Sequence, residues 1–103
     1  MADTPELVLI GSATYRLAIG YAHVFTLEVR EVRTGELADS EVRLTVLPKD
    51  TDKLEFLSAH QAPSSVELAF TPLSKDEPYR TAPITGFVDA QRRSWQLNSL
   101  REA

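Results

Sequence analysis

The chain has 103 residues, 43% of them hydrophobic and 25% charged, with a formal charge of −4 at pH 7. This composition is typical of folded proteins, and the length predicts a single β domain over residues 1–103 with a modest core. The acidic balance argues against nucleic acid as a partner, because phosphate binding requires clustered Lys and Arg. The absence of cysteine excludes disulfides and thiolate chemistry, and we expect no cofactor.

The first ten residues contain Asp3 and Glu6 but no basic residue, and their apolar run covers only residues 7–10. Such a segment resembles neither a secretory signal peptide nor a membrane span. We therefore expect a cytoplasmic protein that makes no membrane contact.

Residues 6–19 predict the first strand, because nearly all odd positions are apolar. Gly11 within it predicts a bend or bulge, since this strand is long for a small domain. A turn at residues 20–22 places Leu17 opposite Phe25. The first three strands then form a meander with a shared inner face.

Residues 22–48 carry the clearest pattern, which predicts an antiparallel hairpin with Gly35-Glu36 as a type II′ turn. In this register opposed charges and threonines meet on one face, and apolar residues meet on the other. The predicted apolar pairs are Phe25 with Val46, Leu27 with Leu44, and Val29 with Val42, and the polar pairs are Thr26 with Thr45, Glu28 with Arg43, and Arg30 with Glu41.

The segment after Pro48 favours a short helix over residues 52–60, because Asp52 and Glu55 have the spacing of a capping box. Alternation of Leu54 and Phe56 around Glu55 leaves a strand as the alternative for the same residues.

Residues 65–71 alternate again and predict a strand with Val66, Leu68 and Phe70 inward. A polar loop over residues 72–83 follows, and we expect it to be mobile.

The last pattern predicts a second hairpin, residues 84–88 against 94–97, with its turn at Gln91-Arg92. It places Val88 beside Trp95 and Gly86 beside Leu97. The whole chain therefore predicts a single small antiparallel β-sandwich or partly open barrel of about six strands, with one short helix between strands 3 and 4.

Two resemblances accompany these patterns. Residues 29–44, with Thr34-Gly35 before the next strand, resemble a strand pair of transthyretin-like sandwiches. The order of three strands, a short helix and further strands looks like an OB-fold barrel. OB-folds that bind nucleic acid present basic and aromatic residues on strands two and three. Here the corresponding face carries two negative and two positive residues, so its charges cancel. These residues are Glu28, Arg30, Glu41 and Arg43.

Chemistry-bearing motifs are sparse. His23 and His60 are the only histidines, and neither lies in a recognisable nucleophile elbow or zinc motif. Residues 50–52 begin like a calcium loop, but the required glycine is missing. Arg92-Arg93 beside Trp95 is interpreted as a solvated turn with an inward-facing tryptophan. We therefore expect no enzyme activity and no metal site.

Three apolar residues, Val8, Ile10 and Val32, fall on the outward face of the meander. A second layer of the fold would cover them, and otherwise they form a partner-binding patch. The functional hypothesis is a non-catalytic binding or assembly module that acts through protein contacts, with a partner protein or by self-association.

The alternative hypothesis is a small-ligand barrel or weak enzyme. Its site lies around the first turn, where Tyr15, Tyr21 and His23 combine apolar and polar groups.

Overall fold

The structure, a computed structural model, describes residues 6–20, 22–73 and 85–103. The predicted loop over residues 72–83 and the start of the second hairpin therefore lie mainly outside the described residues. The described elements are β1 (Leu7–Ile19), β2 (Ala22–Thr34), β3 (Glu41–Val46), α1 (Thr51–Ala59), β4 (Val66–Pro72), β5 (Gly86–Val88) and β6 (Ser94–Glu102).

The six strands close into an antiparallel barrel in the order β1-β2-β3-β5-β6-β4. The all-β prediction is confirmed, and the barrel is closed, where we had expected a sandwich or a partly open barrel. β1 closes it by pairing with β2 on one side and with β4 on the other. Inward-facing side chains fill the interior, as in other small barrels. The largest fully buried ones are Phe25, Phe70, Leu7, Leu9, Leu27, Leu44, Leu57, Leu68, Val46 and Val66.

Helix α1 confirms the helical interpretation of the segment between β3 and β4. It begins at Thr51, with Asp50 as the N-cap residue and no capping bond from a side chain. Asp52 lies in the first turn, so the predicted capping box is absent. Leu57 is the buried residue of the helix and belongs to the core cluster of the barrel.

The register predicted for β2 and β3 is wrong by two residues. Leu27 lies opposite Val42, so the inward face is retained because side chains alternate with a period of two. Glu28 faces Glu41, and the predicted pair with Arg43 does not form.

This shift has its cause at the far end of β2, which pairs with β1 up to Thr34. Gly35 has a φ of 84° and packs against the backbone of Glu6, where a Cβ atom would clash. Residues 35–40 therefore form a six-residue connection in place of the predicted two-residue turn.

Bulges change which β2 residues face inward. The register against β1 shifts at Gly11, as predicted, and Arg30 is left as the extra residue on β2. Val29 and Val32 consequently both pack against the core. The prediction that Val32 faces outward is therefore wrong, because its alternation was counted through an uninterrupted strand.

The predicted pairing of Leu17 with Phe25 is wrong, because a further bulge at Arg16 shifts the register of β1 against β2 beside the first turn. Tyr15 lies opposite Phe25, and Leu17 lies opposite Val24. Leu17 and Ile19 are then among the exposed large hydrophobic residues.

The second hairpin is shifted by one residue from its predicted register. Phe87 lies opposite Trp95, and Val88 lies opposite Ser94. Phe87 and Trp95 are buried, whereas Val88 is 59% exposed. The one-residue shift reverses the faces of β5, and the inward orientation of Trp95 is confirmed.

Candidate binding groove

A groove of about 560 Å³ crosses the outer surface of the barrel where β2, β1, β4 and β6 lie side by side. Its volume is within the range of ligand-binding clefts in proteins. The residues that line it are Val8, Arg33, Thr34, Glu67, Ala69, Ser99, Leu100 and Arg101.

The floor of the groove consists of short side chains on the two central strands. Val8 on β1 lies opposite Ala69 on β4, and Ser99 on β6 lies opposite Ala69 on the other side. Longer side chains, those of Arg33 and Arg101, stand on the outer strands. The difference in side-chain length produces the depression.

A β-bulge lies in each wall of the groove. In β2 the pairing with β1 skips Arg33, since Val8 faces Thr34 and Leu9 faces Val32. In β6 the pairing with β4 skips Asn98. Bulges redirect side chains and are enriched next to functional sites. The bulge at Arg33 therefore accounts for an arginine in this wall immediately after the inward-facing Val32.

One carboxylate is shared by the two arginines of the groove. Arg33 Nε lies 3.9 Å from Glu67 Oε1, and Arg101 Nε contacts Glu67 Oε2. The Glu67 side chain is only 11% exposed, whereas those of Arg33 and Arg101 are 54% and 76% exposed. Arg101 is thus hydrogen-bonded to Glu67, Arg33 lies between Glu67 and Glu31, and both guanidinium groups remain exposed.

The groove combines charged side chains with short apolar ones. Among the described residues, its lining holds no histidine and no lysine, and its hydroxyl groups are those of Thr34 and Ser99. Guanidinium groups beside a short apolar floor can hold an anionic group together with an apolar neighbour.

The structure separates the three residues of the predicted partner surface. Val8 lines the groove, and Ile10 lies on the same outer face of β1, opposite Glu67. Val32 packs against the core. Arg33 and Arg101 could not be assigned to this groove from the sequence, because a bulge in β2 and the length of β6 bring them to it. The alternation of β4, by contrast, predicts that Glu67 and Ala69 face outward.

The alternative site is partly assembled at the first hairpin. Tyr15 Oη lies 3.1 Å from His23 Nδ1, and the Tyr15 ring meets Phe25 edge-on at 5.2 Å. Tyr21 lies outside the described residues. The pair joins a phenol and an imidazole at the surface of the barrel.

His60 has a structural role at the C-terminus of α1. Its Nδ1 lies 2.9 Å from the Phe56 carbonyl oxygen, and its Nε2 lies 2.8 Å from Glu102 Oε1. The ring also stacks on Phe56 at 4.1 Å. Because both ring nitrogens have partners, this histidine links α1 to β6.

Asp89 is the centre of the turn between β5 and β6. Its carboxylate, 1% exposed, accepts hydrogen bonds from the Trp95 indole at 3.0 Å and from the Arg93 backbone and side chain. Burial alone would raise the pKa of Asp89, but these hydrogen bonds outweigh it and the pKa lies below its ordinary value. Arg93 also lies over the Trp95 ring. The contacts of this aromatic–basic cluster therefore stabilise the turn.

Comparisons with protein-family models, with curated proteins and with solved structures found no match for this chain. Among residues 6–20, 22–73 and 85–103, no helix has the length and apolar character needed to cross a membrane. The same part of the chain holds no group of three or more side chains arranged to bind a metal ion.

Proposed function

We propose that the protein is a non-catalytic binding module that holds a short segment of a partner protein in the groove between β2 and β6. The two bulges that flank the groove, at Arg33 and Asn98, are the observation that carries this proposal. Together they border the side of the barrel on which the groove lies.

The character of the groove favours a polypeptide segment over a small metabolite. Small-molecule sites are largely apolar and aromatic and enclose most of their ligand. The described residues of its lining include no aromatic side chain, and its walls end in the exposed arginines Arg33 and Arg101. A polar rim around a small apolar centre is the composition of a protein–protein contact.

Filling the groove tests the proposal. Ala69→Gln places a longer neutral side chain on the floor, and Glu28→Gln makes a neutral change on an exposed position of β2 outside the lining. The three proteins, immobilised at equal density, are exposed to extract of the native cell, and the retained proteins are quantified.

We expect the wild type and Glu28→Gln to retain the same partner, and Ala69→Gln to retain about tenfold less of it, a loss of about 1.4 kcal/mol of binding free energy. Equal retention of that partner by Ala69→Gln and Glu28→Gln would contradict the proposal.

The hydrogen bond between Tyr15 and His23 favours a second candidate function, the binding of a small ligand beside the first turn. A thermal-shift screen with metabolites tests it. A compound that raises the melting temperature of the wild type, but not that of Tyr15→Phe, would support this function. Equal shifts in the two proteins would contradict it.

A further inference from the structure

We infer that the partner segment is acidic and that Arg33 and Arg101 bind its carboxylates. This inference rests on the proposed function, since it names the chemistry of the segment that the groove receives. It begins from the charges around the groove, where the described lining contributes two exposed arginines and Glu67, and the exposed carboxylate of Glu31 lies 3.7 Å from Arg33 Nε, so that positive and negative charges balance there. The whole chain, by contrast, has a net charge of −4.

The two arginines retain donors for a ligand. Arg101 Nε contacts Glu67 Oε2. Arg33 Nε lies 3.9 Å from Glu67 Oε1 and 3.7 Å from Glu31 Oε2, so it forms a looser ion pair with each carboxylate. Neither arginine donates a hydrogen bond from a terminal guanidinium nitrogen to any side chain or carbonyl in the described part of the chain. A guanidinium group has five N–H donors in a fixed fork, so the terminal donors of each arginine are available for an incoming carboxylate.

Glu67 positions these donors as well as lowering the net charge. Its carboxylate is largely buried between β1 and β6, where Arg101 donates a hydrogen bond to Oε2 and Arg33 Nε lies 3.9 Å from Oε1. Long arginine side chains lose rotational freedom when they bind a ligand, and prior positioning reduces that cost. Glu67 thus holds the guanidinium group of Arg101 at the rim before the partner arrives, and its charge attracts that of Arg33.

Several features favour a carboxylate on a peptide over the phosphates of a nucleic acid. Nucleic acid requires a wide basic surface, whereas Glu31 lies 3.7 Å from Arg33 Nε and is 59% exposed. The floor of Val8 and Ala69 accepts an apolar side chain, which a phosphate backbone does not offer. Two exposed guanidinium groups beside an apolar floor therefore suit Asp or Glu next to an aliphatic residue.

A pair of capped pentapeptides tests this inference. One alternates glutamate and valine, and the other has glutamine in place of each glutamate. Binding is followed by nitrogen-15 NMR, using the amide signals of Val8 and Ala69 and the Nε–Hε signals of Arg33 and Arg101. Arg43→Gln is the matched control, because Arg43 is an exposed arginine on β3 that does not line the groove.

We expect the acidic peptide to shift the groove signals and to bind at least about tenfold more tightly than the glutamine peptide. Binding should weaken as the salt concentration rises. Arg33→Gln and Arg101→Gln should each weaken it about threefold or more, while Arg43→Gln should leave it unchanged.

Equal binding of the two peptides in the groove, or acidic binding that survives the double variant of Arg33 and Arg101, would overturn the inference. So would a short oligonucleotide that binds the groove more tightly than the acidic peptide does. These outcomes do not contradict the proposed function, because that function fails only if Ala69→Gln does not reduce the amount of partner retained.

Discussion

Two outer faces of the same barrel are built from similar residues and have different shapes. On the face of β2 and β3, Glu28 lies opposite Glu41 and Arg43 lies opposite Thr26. None of these side chains forms an ion pair with another residue of the described segments. That face follows a regular ladder, and none of these four residues lines the groove.

On the groove face the ladders are interrupted by the bulges at Arg33 and Asn98, and small residues lie between these bulges. The bulge at Arg33 and the pair of Val8 with Ala69 produce a depression with an organised rim. The presence of arginine and glutamate therefore does not distinguish the grooved face from the regular one. The distinguishing features are the irregularity of the strands and the sizes of adjacent side chains.

The largest expected effect on the free energy of unfolding comes from substitutions at two neighbouring residues of β4. They test which of the two residues faces the core. Leu68 is fully buried, and Ala69 lies on the groove floor. Leu68→Ala should lower the free energy of unfolding by about 2–5 kcal/mol because it opens a cavity. Ala69→Gln should change it by less than about 0.5 kcal/mol. Urea denaturation measures both, and comparable losses would show that the outer face of β4 is misassigned.

The next largest effect on the free energy of unfolding is expected from two carboxylates that contact arginine, one in a turn and one in the groove. Asp89→Asn should cost about 3 kcal/mol at pH 7, because it weakens the hydrogen bonds that Trp95 and Arg93 donate to a buried charge. Glu67→Gln should cost less than about 1 kcal/mol, since the arginines that it binds are exposed.

The pH dependence follows from the lowered pKa of Asp89. The folded state binds this proton less readily than the unfolded chain does. Its stabilisation is therefore complete above the ordinary pKa of about 4 and is lost as the pH falls towards the folded value. The stability difference between the wild type and Asp89→Asn should shrink from pH 7 to pH 3. A difference that stays constant over this range would contradict the assignment.

The smallest expected effect on stability belongs to the arginines of the groove. Arg33→Gln and Arg101→Gln should each change the free energy of unfolding by less than about 1 kcal/mol, because exposed ion pairs contribute little. Thermal denaturation checks this. A loss as large as that of Leu68→Ala would mean that these arginines hold the barrel together, and the comparison of the two faces would then be wrong.

The sequence predicted the faces of most strands better than it predicted their registers. Alternation depends on neighbouring residues alone, and it correctly placed Phe25, Leu27 and Leu68 inside the barrel. Register depends on contacts that are distant in sequence, such as the packing of Gly35 against Glu6. A two-residue turn was therefore predicted where the chain makes a longer connection.

The same limitation explains which site residues were found. Val8 was predicted because its own strand marks it as an apolar residue on an outward face. Arg33 was not, because a bulge next to Val32 cannot be recognised from alternation. The groove is assembled from four strands, and no short motif in the chain encodes it.

Site-specific photo-crosslinking on the two faces tests the central claim most directly. A photoreactive residue replaces Ser99 in the groove wall in one variant and Glu28 on the other face in a second, both expressed in the native cell. We predict a discrete adduct with one partner from position 99, its loss when Ala69→Gln is added, and no such adduct from position 28. The same adduct from both positions, or one from position 99 that Ala69→Gln does not reduce, would contradict the account.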